Sequence, residues 1–94
     1  MPELLTADER RAALAELDGW QESADGKALT KSFRFKSFGA AFALMTRAAL
    51  AAEKMDHHPE WTNVYNRVDV GLSTHSAGGV SELDVKLARK MNEF

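Results

Sequence analysis

Hydrophobic residues recur at helical spacing in three stretches of the chain. The first stretch opens with Thr6 and Glu9 at the spacing of a capping box and is predicted to end at Asp18-Gly19. The third opens with Ser81 and Asp84 at the same spacing. The second follows Ser37, a typical N-cap residue. Its apolar stripe is expected to face the core and comprises Phe38, Ala41, Phe42, Met45, Ala49, Ala52 and Met55.

Alternating polar and apolar residues predict strands between these helices. A hairpin is predicted from Trp20 to Phe35, with its tight turn at Asp25-Gly26. Pro59 should end the second helix near Asp56 or His57. The alternation from Val64 to Leu72 fits either one bent strand or two strands joined at Asn66-Arg67. The order helix, two strands, helix, two strands, helix predicts an α+β fold, an antiparallel sheet with helices on one face.

Composition narrows the class of protein. The 94 residues are predicted to form one domain spanning 1–94, in which extra stability would come from association into a dimer or larger assembly. The absence of cysteine excludes disulfides, thiolate metal sites and cysteine nucleophiles. A net charge of −2 argues against nucleic-acid binding. With no signal peptide or membrane segment visible, we expect a cytoplasmic protein without a membrane partner.

The candidate chemistry lies at the histidines. His57 and His58 follow the second helix, and His75 follows the second strand region. Histidine exchanges protons near neutral pH, so the three can serve as general acids and bases in one pocket. A metal site that also uses Glu53 and Asp56 is a second interpretation, although the H-E-x-x-H spacing is absent. Structural histidines are a third. No nucleophile elbow or phosphate-binding loop is present.

Three further residues have simple structural interpretations. Trp61 can anchor the start of a strand or stack on a ligand, and Tyr65 can serve an interface or a hydrogen bond. Asp84 most simply caps the last helix. We expect neither His57 nor His75 to be a core residue, so alanine at either position should leave the fold intact.

The run from Glu53 to Asn66, with His75 and Asp84 at their spacings, closely resembles the pterin-4a-carbinolamine dehydratases. The resemblance covers nearly the whole chain. It implies a four-stranded antiparallel sheet with three helices on one face, assembled as a homodimer or homotetramer. The implied activity is that of a hydro-lyase that converts 4a-hydroxytetrahydropterin to quinonoid dihydropterin, recycling the pterin cofactor of aromatic amino acid hydroxylases. No metal or organic cofactor is expected.

The resemblance also assigns roles to residues. His57 and His75 are the expected general acids at the 4a-hydroxyl, and His58 is expected to orient the pterin. Pro59, Tyr65 and Asp84 match motif or structural positions. The expected substrate contacts are Glu53, Asp56, Trp61, Ser73, Thr74 and Ser76. Leu83 departs from the animal members, which carry arginine there.

Two other functions stay open at this point. The family includes a dimerisation cofactor of a homeodomain transcription factor, so the chain can instead be a protein-binding module. In that case its alanine-rich second helix would pack against a partner or against its own copy. A metal-dependent hydrolase is the third alternative.

Overall fold

The structure is a computed structural model that describes residues 2–94. Its sheet is antiparallel throughout, with strand order β1-β2-β4-β3. A 3-10 turn, His75–Ala77, lies between the last strand and the last helix. The elements in chain order are α1 (Ala7–Leu14), β1 (Gln21–Glu22), β2 (Leu29–Arg34), α2 (Phe38–Met55), β3 (Glu60–Val64), β4 (Arg67–Leu72) and α3 (Glu82–Glu93).

One face of the sheet forms the core. Along β4, Val68, Val70 and Leu72 are buried while the alternate residues face outward. Burial of each such side chain stabilises the fold by about 1.5–3 kcal/mol. The helices cover this face, and α3 contributes the buried residues Val85, Leu87, Ala88 and Met91. The predicted α+β architecture and element order are therefore confirmed.

The buried face of α2 differs from the predicted stripe. Phe38 and Phe42 are about half exposed, and Ala49 is exposed as well. The residues that face the core are Ala41, Leu44, Ala48 and Ala52. Because α2 is apolar around most of its circumference, spacing alone could not select the face. Three of the four buried positions are alanines, which let the helix backbone lie close to the sheet.

Helix α1 is shorter than predicted. The capping box of Thr6 and Glu9 is present, but the helix ends at Leu14 rather than near Asp18. Leu17 is buried from the turn that follows. No residue of α1 is fully buried, so packing against the core does not extend the helix through the predicted last turn, from Leu14 to Asp18.

Lys31 of β2 is held by polar groups of two other segments of the chain. Its ammonium group donates hydrogen bonds to the Asp18 carbonyl at 2.9 Å and to Asn92 Oδ1 at 2.8 Å. Partial burial lowers the pKa of Lys31 from its ordinary value, and the Asp18 carboxylate opposes that shift. Gly19 adopts a φ of 81°, and a Cβ there would lie 2.8 Å from Lys31 Cε. A glycine is therefore needed where the chain passes this side chain.

The second strand region is two strands. Tyr65 and Asn66 form the turn between them, and Tyr65 adopts a left-handed φ of 50°. Strand β3 begins at Glu60, four residues before the predicted start at Val64. It is an edge strand in which no residue is fully buried, so its hydrophobic pattern is weak.

Candidate active site

The end of α2 determines the directions of His57 and His58. The Asp56 and His57 amides donate to the Glu53 and Ala52 carbonyls, which is the Schellman arrangement. Asp56 adopts the left-handed conformation with a φ of 52°, at a cost of about 1 kcal/mol for a residue with a side chain. This turn directs the two adjacent histidines differently: His57 is buried and His58 is exposed.

His57 joins a buried hydrogen-bond network at the start of α3. Its Nε2 lies 2.5 Å from Asp84 Oδ1. Asp84 Oδ2 accepts from the Thr74 hydroxyl and from the Ser81 amide, both at 2.8 Å. The Thr74 and Ser81 hydroxyls lie 2.6 Å apart. Both oxygens of a fully buried carboxylate are therefore satisfied, which offsets the cost of removing it from water.

This network overturns the expectation that His57 is not a core residue. His57 is only 8% exposed. The reason is a contact between distant parts of the chain: α3 brings a buried carboxylate to the histidine. Asp84 also completes the predicted capping box with Ser81, so one side chain both caps α3 and holds His57.

The network favours one tautomer of His57. An ionised carboxylate only accepts hydrogen bonds, so the tautomer with its hydrogen on Nε2 is the one that fits an ionised Asp84. Nδ1 makes no hydrogen bond to any residue of 2–94. A ring held through one nitrogen, with the other left without a protein partner, is a geometry suited to proton transfer.

The other two histidines are exposed and pair with exposed glutamates. His58 Nε2 lies 3.0 Å from Glu53 Oε1, and His75 Nε2 lies 3.1 Å from Glu60 Oε1. Glu53 therefore contacts His58. The four-residue spacing of Glu53 and His57 would put them on one helical face only if α2 continued past Met55, where it ends.

All three histidines line one cleft of about 360 Å³. This volume is within the range typical of small-molecule sites. The Ser73 hydroxyl donates to the Lys27 carbonyl at 2.7 Å and fixes the adjoining loop. The cleft is lined by Pro2, Asp56, His57, His58, Ser73, Thr74, His75, Ser76 and Leu83.

Most of the predicted site residues are therefore brought together, with two exceptions. Glu53 does not line the cleft, but it contacts His58, which does. Trp61 lines a larger cleft of about 620 Å³, which includes open-face residues of the sheet and has no histidine in its lining. Trp61 is also partly buried against the core, as the anchor interpretation predicts.

The motif positions Pro59 and Tyr65 lie outside the cleft. Pro59 directly follows His58, whereas Tyr65 lies in the β3–β4 turn. That turn is at the opposite end of β4 from Ser73, about 23 Å away along the strand at about 3.3 Å per residue. Sequence reasoning missed Pro2 as a lining residue and Ser81 as a member of the network. The capping-box spacing revealed Ser81 as a cap but not its contact with Thr74.

Within residues 2–94, no group of three or more histidine, cysteine, aspartate or glutamate side chains is placed to hold a metal ion. The same part of the chain contains no helix that is long and apolar enough to cross a membrane.

Comparison with known proteins identifies the family. The family model described as pterin 4 alpha carbinolamine dehydratase matches residues 3–94. A protein of Afipia carboxidovorans, provisionally named a pterin-4-alpha-carbinolamine dehydratase, is 60% identical over 94 residues, covering 100% of this chain and 94% of the relative. A Brucella ovis protein with the same provisional name is 61% identical over 88 residues, covering 94% of this chain and 91% of the relative.

A solved structure agrees with these matches. A crystal structure described as a transcriptional coactivator/pterin dehydratase from Brucella melitensis is 61% identical and superposes with a TM-score of 0.93. The match covers 95% of each chain. The chain therefore belongs to the pterin-4a-carbinolamine dehydratase family, as its sequence motifs predicted.

Proposed function

We propose that the protein dehydrates 4a-hydroxytetrahydropterin to quinonoid dihydropterin by histidine general acid/base catalysis. In this role it recycles the pterin cofactor of aromatic amino acid hydroxylases. The observation that carries the proposal is the convergence of His57, His58 and His75 on one cleft. Family membership supports the same substrate and reaction. Location in the cytoplasm stays a prediction from the sequence.

The reaction moves only protons and one hydroxyl group. The C4a–O bond breaks with both of its electrons, and the departing oxygen takes a proton from an acid to leave as water. N5 loses its hydrogen to a base, and the electron pair left on N5 forms the N5=C4a double bond. The products are water and quinonoid dihydropterin, so no electron acceptor is required.

The surroundings of the histidines support a division of roles. His57 is held rigidly by Asp84, which suits the acid or base that must stay aligned with one atom of the ring. His75 lines the same cleft from the 3-10 turn that follows β4 and serves as the second acid at the 4a-hydroxyl. His58 orients the pterin while paired with Glu53. A histidine in such a role contributes about 10²–10⁴-fold to the rate.

Polar groups of the neighbouring loop complete the proposed site. Asp56 and the segment 73–76 line the cleft, where a pterin presents the donors and acceptors of its flat ring edge. Their backbone groups and the side chains of Ser73, Thr74 and Ser76 are the proposed contacts to that edge. Trp61 has no part in this arrangement because it lines the other cleft.

The direct test is an assay for quinonoid dihydropterin by absorbance after 4a-hydroxytetrahydropterin is supplied. We expect the protein to accelerate dehydration above the spontaneous rate, and a chelator to leave that rate unchanged. No acceleration would contradict the proposal. Loss of rate on chelation would favour the metal-dependent alternative.

We also propose that the protein self-associates through the exposed face of α2. Phe38 and Phe42 are 49% and 54% exposed, and their ring centroids lie 5.8 Å apart. Exposed aromatic pairs of this kind are typical of interfaces. The proposed occupant is the same face of a second copy, in a homodimer or homotetramer. Sedimentation should show an assembly that Phe42→Gln weakens; a wild-type monomer at all concentrations would contradict this.

A protein-binding role is the second candidate function. It is supported by the same face of α2 and by the coactivator description of the Brucella melitensis relative. The dehydration assay separates the two functions, because a binding module without enzymatic activity gives no rate above the spontaneous one.

A further inference from the structure

A second cavity adjoins the histidine cleft at Leu83. Its volume is about 560 Å³, and Leu83 lines both cavities. Leu83 lies in the first turn of α3, so the second cavity extends from the histidine cleft along this helix. The second cavity is lined by Met55, Leu83, Lys86, Arg89, Lys90 and Glu93.

The lining of this second cavity is basic. Lys86, Arg89 and Lys90 face a single acidic side chain, Glu93. Within residues 2–94, none of the three cations forms a salt bridge. The whole chain carries a net charge of −2, so this local excess of positive charge is a property of the cavity and not of the average surface.

Helix geometry places these cations within reach of a ligand in the histidine cleft. Lys86 and Lys90 follow Leu83 by three and seven residues and share its face of α3. At a rise of about 1.5 Å per residue, their Cα atoms lie roughly 4.5 and 10.5 Å further along the axis. Helical side chains lean towards the N-terminus, so the Lys86 ammonium leans towards Leu83. A substituent a few bonds long, crossing Leu83, would meet it.

We propose that this cavity is a subsite for an anionic substituent of the substrate, with Lys86, Arg89 and Lys90 as its ligands. The inference rests on the proposed function, since the ring must occupy the histidine cleft. The chemical class is a pterin whose side chain ends in a phosphate ester. Such a group carries a charge of about −1.5 to −2 at neutral pH and offers several oxygens to lysine and arginine donors. Leu83 separates the two subsites with an uncharged wall.

The test compares the binding of two matched pterins, 6-hydroxymethylpterin and its phosphate ester, by fluorescence titration at low ionic strength. We expect the ester to bind about tenfold more tightly, the size expected from a few partly exposed charge contacts. The preference should vanish in the triple variant Lys86→Gln, Arg89→Gln, Lys90→Gln and at 1 M salt, where the screening length falls to about 3 Å. Titration of 6-carboxypterin shows whether a carboxylate attached directly to the ring is enough to tighten binding.

Lys36→Gln is the control for the loss of a lysine outside the cavity. Lys36 is exposed between β2 and α2 and lines neither cavity, so its removal should leave the preference intact. Equal affinity of wild type for the two pterins, or a preference that survives in the triple variant, would overturn the subsite alone. If neither pterin binds, the proposed function fails and the subsite fails with it.

Discussion

Two histidines of the same cleft are held in opposite ways. His57 is held by a carboxylate that is itself fully buried and bound on both oxygens. His75 is exposed and pairs with Glu60, which is also exposed. His58 resembles His75, since its partner Glu53 is in contact with solvent as well. The same pairing of imidazole and carboxylate thus occurs once in the buried interior and twice at the solvent-exposed surface.

This difference predicts how strongly each histidine is tied to the fold. Breaking a buried pair leaves a charge without its partner and costs several kcal/mol. An exposed pair is worth about 0–1 kcal/mol, because water replaces either partner. His57 is therefore both a structural and a proposed catalytic residue, whereas His75 and His58 are free to serve chemistry at little cost in stability.

The largest effect is expected from His57→Ala. It should lower the rate of dehydration by about 10²–10⁴-fold. It should also lower the free energy of unfolding by about 3 kcal/mol, because the buried carboxyl group of Asp84 loses a partner that water cannot readily replace. Denaturant unfolding and the absorbance assay measure the two quantities on the same sample.

His75→Ala is the matched comparison. It should cause a similar loss of rate while changing the free energy of unfolding by less than about 0.5 kcal/mol, as is usual for an exposed residue. Equal destabilisation by the two alanine variants would show that the buried and the exposed histidine are tied to the fold equally.

Asp84→Asn is expected to have the next largest effect. The amide keeps the shape of the side chain, and its oxygen can still accept from Thr74 and Ser81. Its NH₂ group then faces His57 Nε2 and favours the tautomer with the hydrogen on Nδ1. We expect a loss of about 2 kcal/mol in stability. The turnover rate should fall with KM little changed, since Asp84 acts through His57.

Nitrogen NMR of the His57 ring provides a readout that a purely structural role would not change. The wild-type ring should carry its hydrogen on Nε2 and the variant ring on Nδ1. The same tautomer in both proteins would contradict the positioning role, whatever the rate.

A smaller effect is expected from Glu53→Gln and Glu60→Gln. Each removes the charge from an exposed pair, so the free energy of unfolding should change by less than about 0.5 kcal/mol. Each variant serves as the control for the other, because the two glutamates hold different histidines. A loss above about 1 kcal/mol in either variant would mean that its pair is shielded from water in the assembled protein.

Local signals in the sequence predicted most of the site. The Thr6 and Ser81 capping boxes are present, and Pro59 follows a helix that ends where it was expected to end. The spacing of the three histidines, through the family it resembles, predicted one cleft. These features depend on residues a few positions apart or on a complete motif, both of which a sequence displays directly.

Features that depend on contacts between distant residues could not be predicted in this way. The burial of His57 depends on Asp84, which is 27 residues away along the chain. The choice of Leu44 over Phe42 for the core depends on the sheet beneath α2, since both positions are apolar. Strand β3 was predicted to start too late because an edge strand needs no fully buried residue.

The smallest effect is expected at Asp69, whose carboxylate lies on the open face of the sheet. This residue extends the comparison of buried and exposed carboxylates to one that has no histidine partner. A hydrogen bond from Ser32, with help from Arg67, holds the pKa of Asp69 below its ordinary value of 3.8. Its contribution to stability is therefore present above pH 3.8 and is lost as pH falls through the lower folded-state pKa. Asp69→Asn should unfold at a slightly lower temperature than wild type at neutral pH, and the difference should shrink in acid. A difference that grows as pH falls would show that the charged carboxylate does not stabilise the fold.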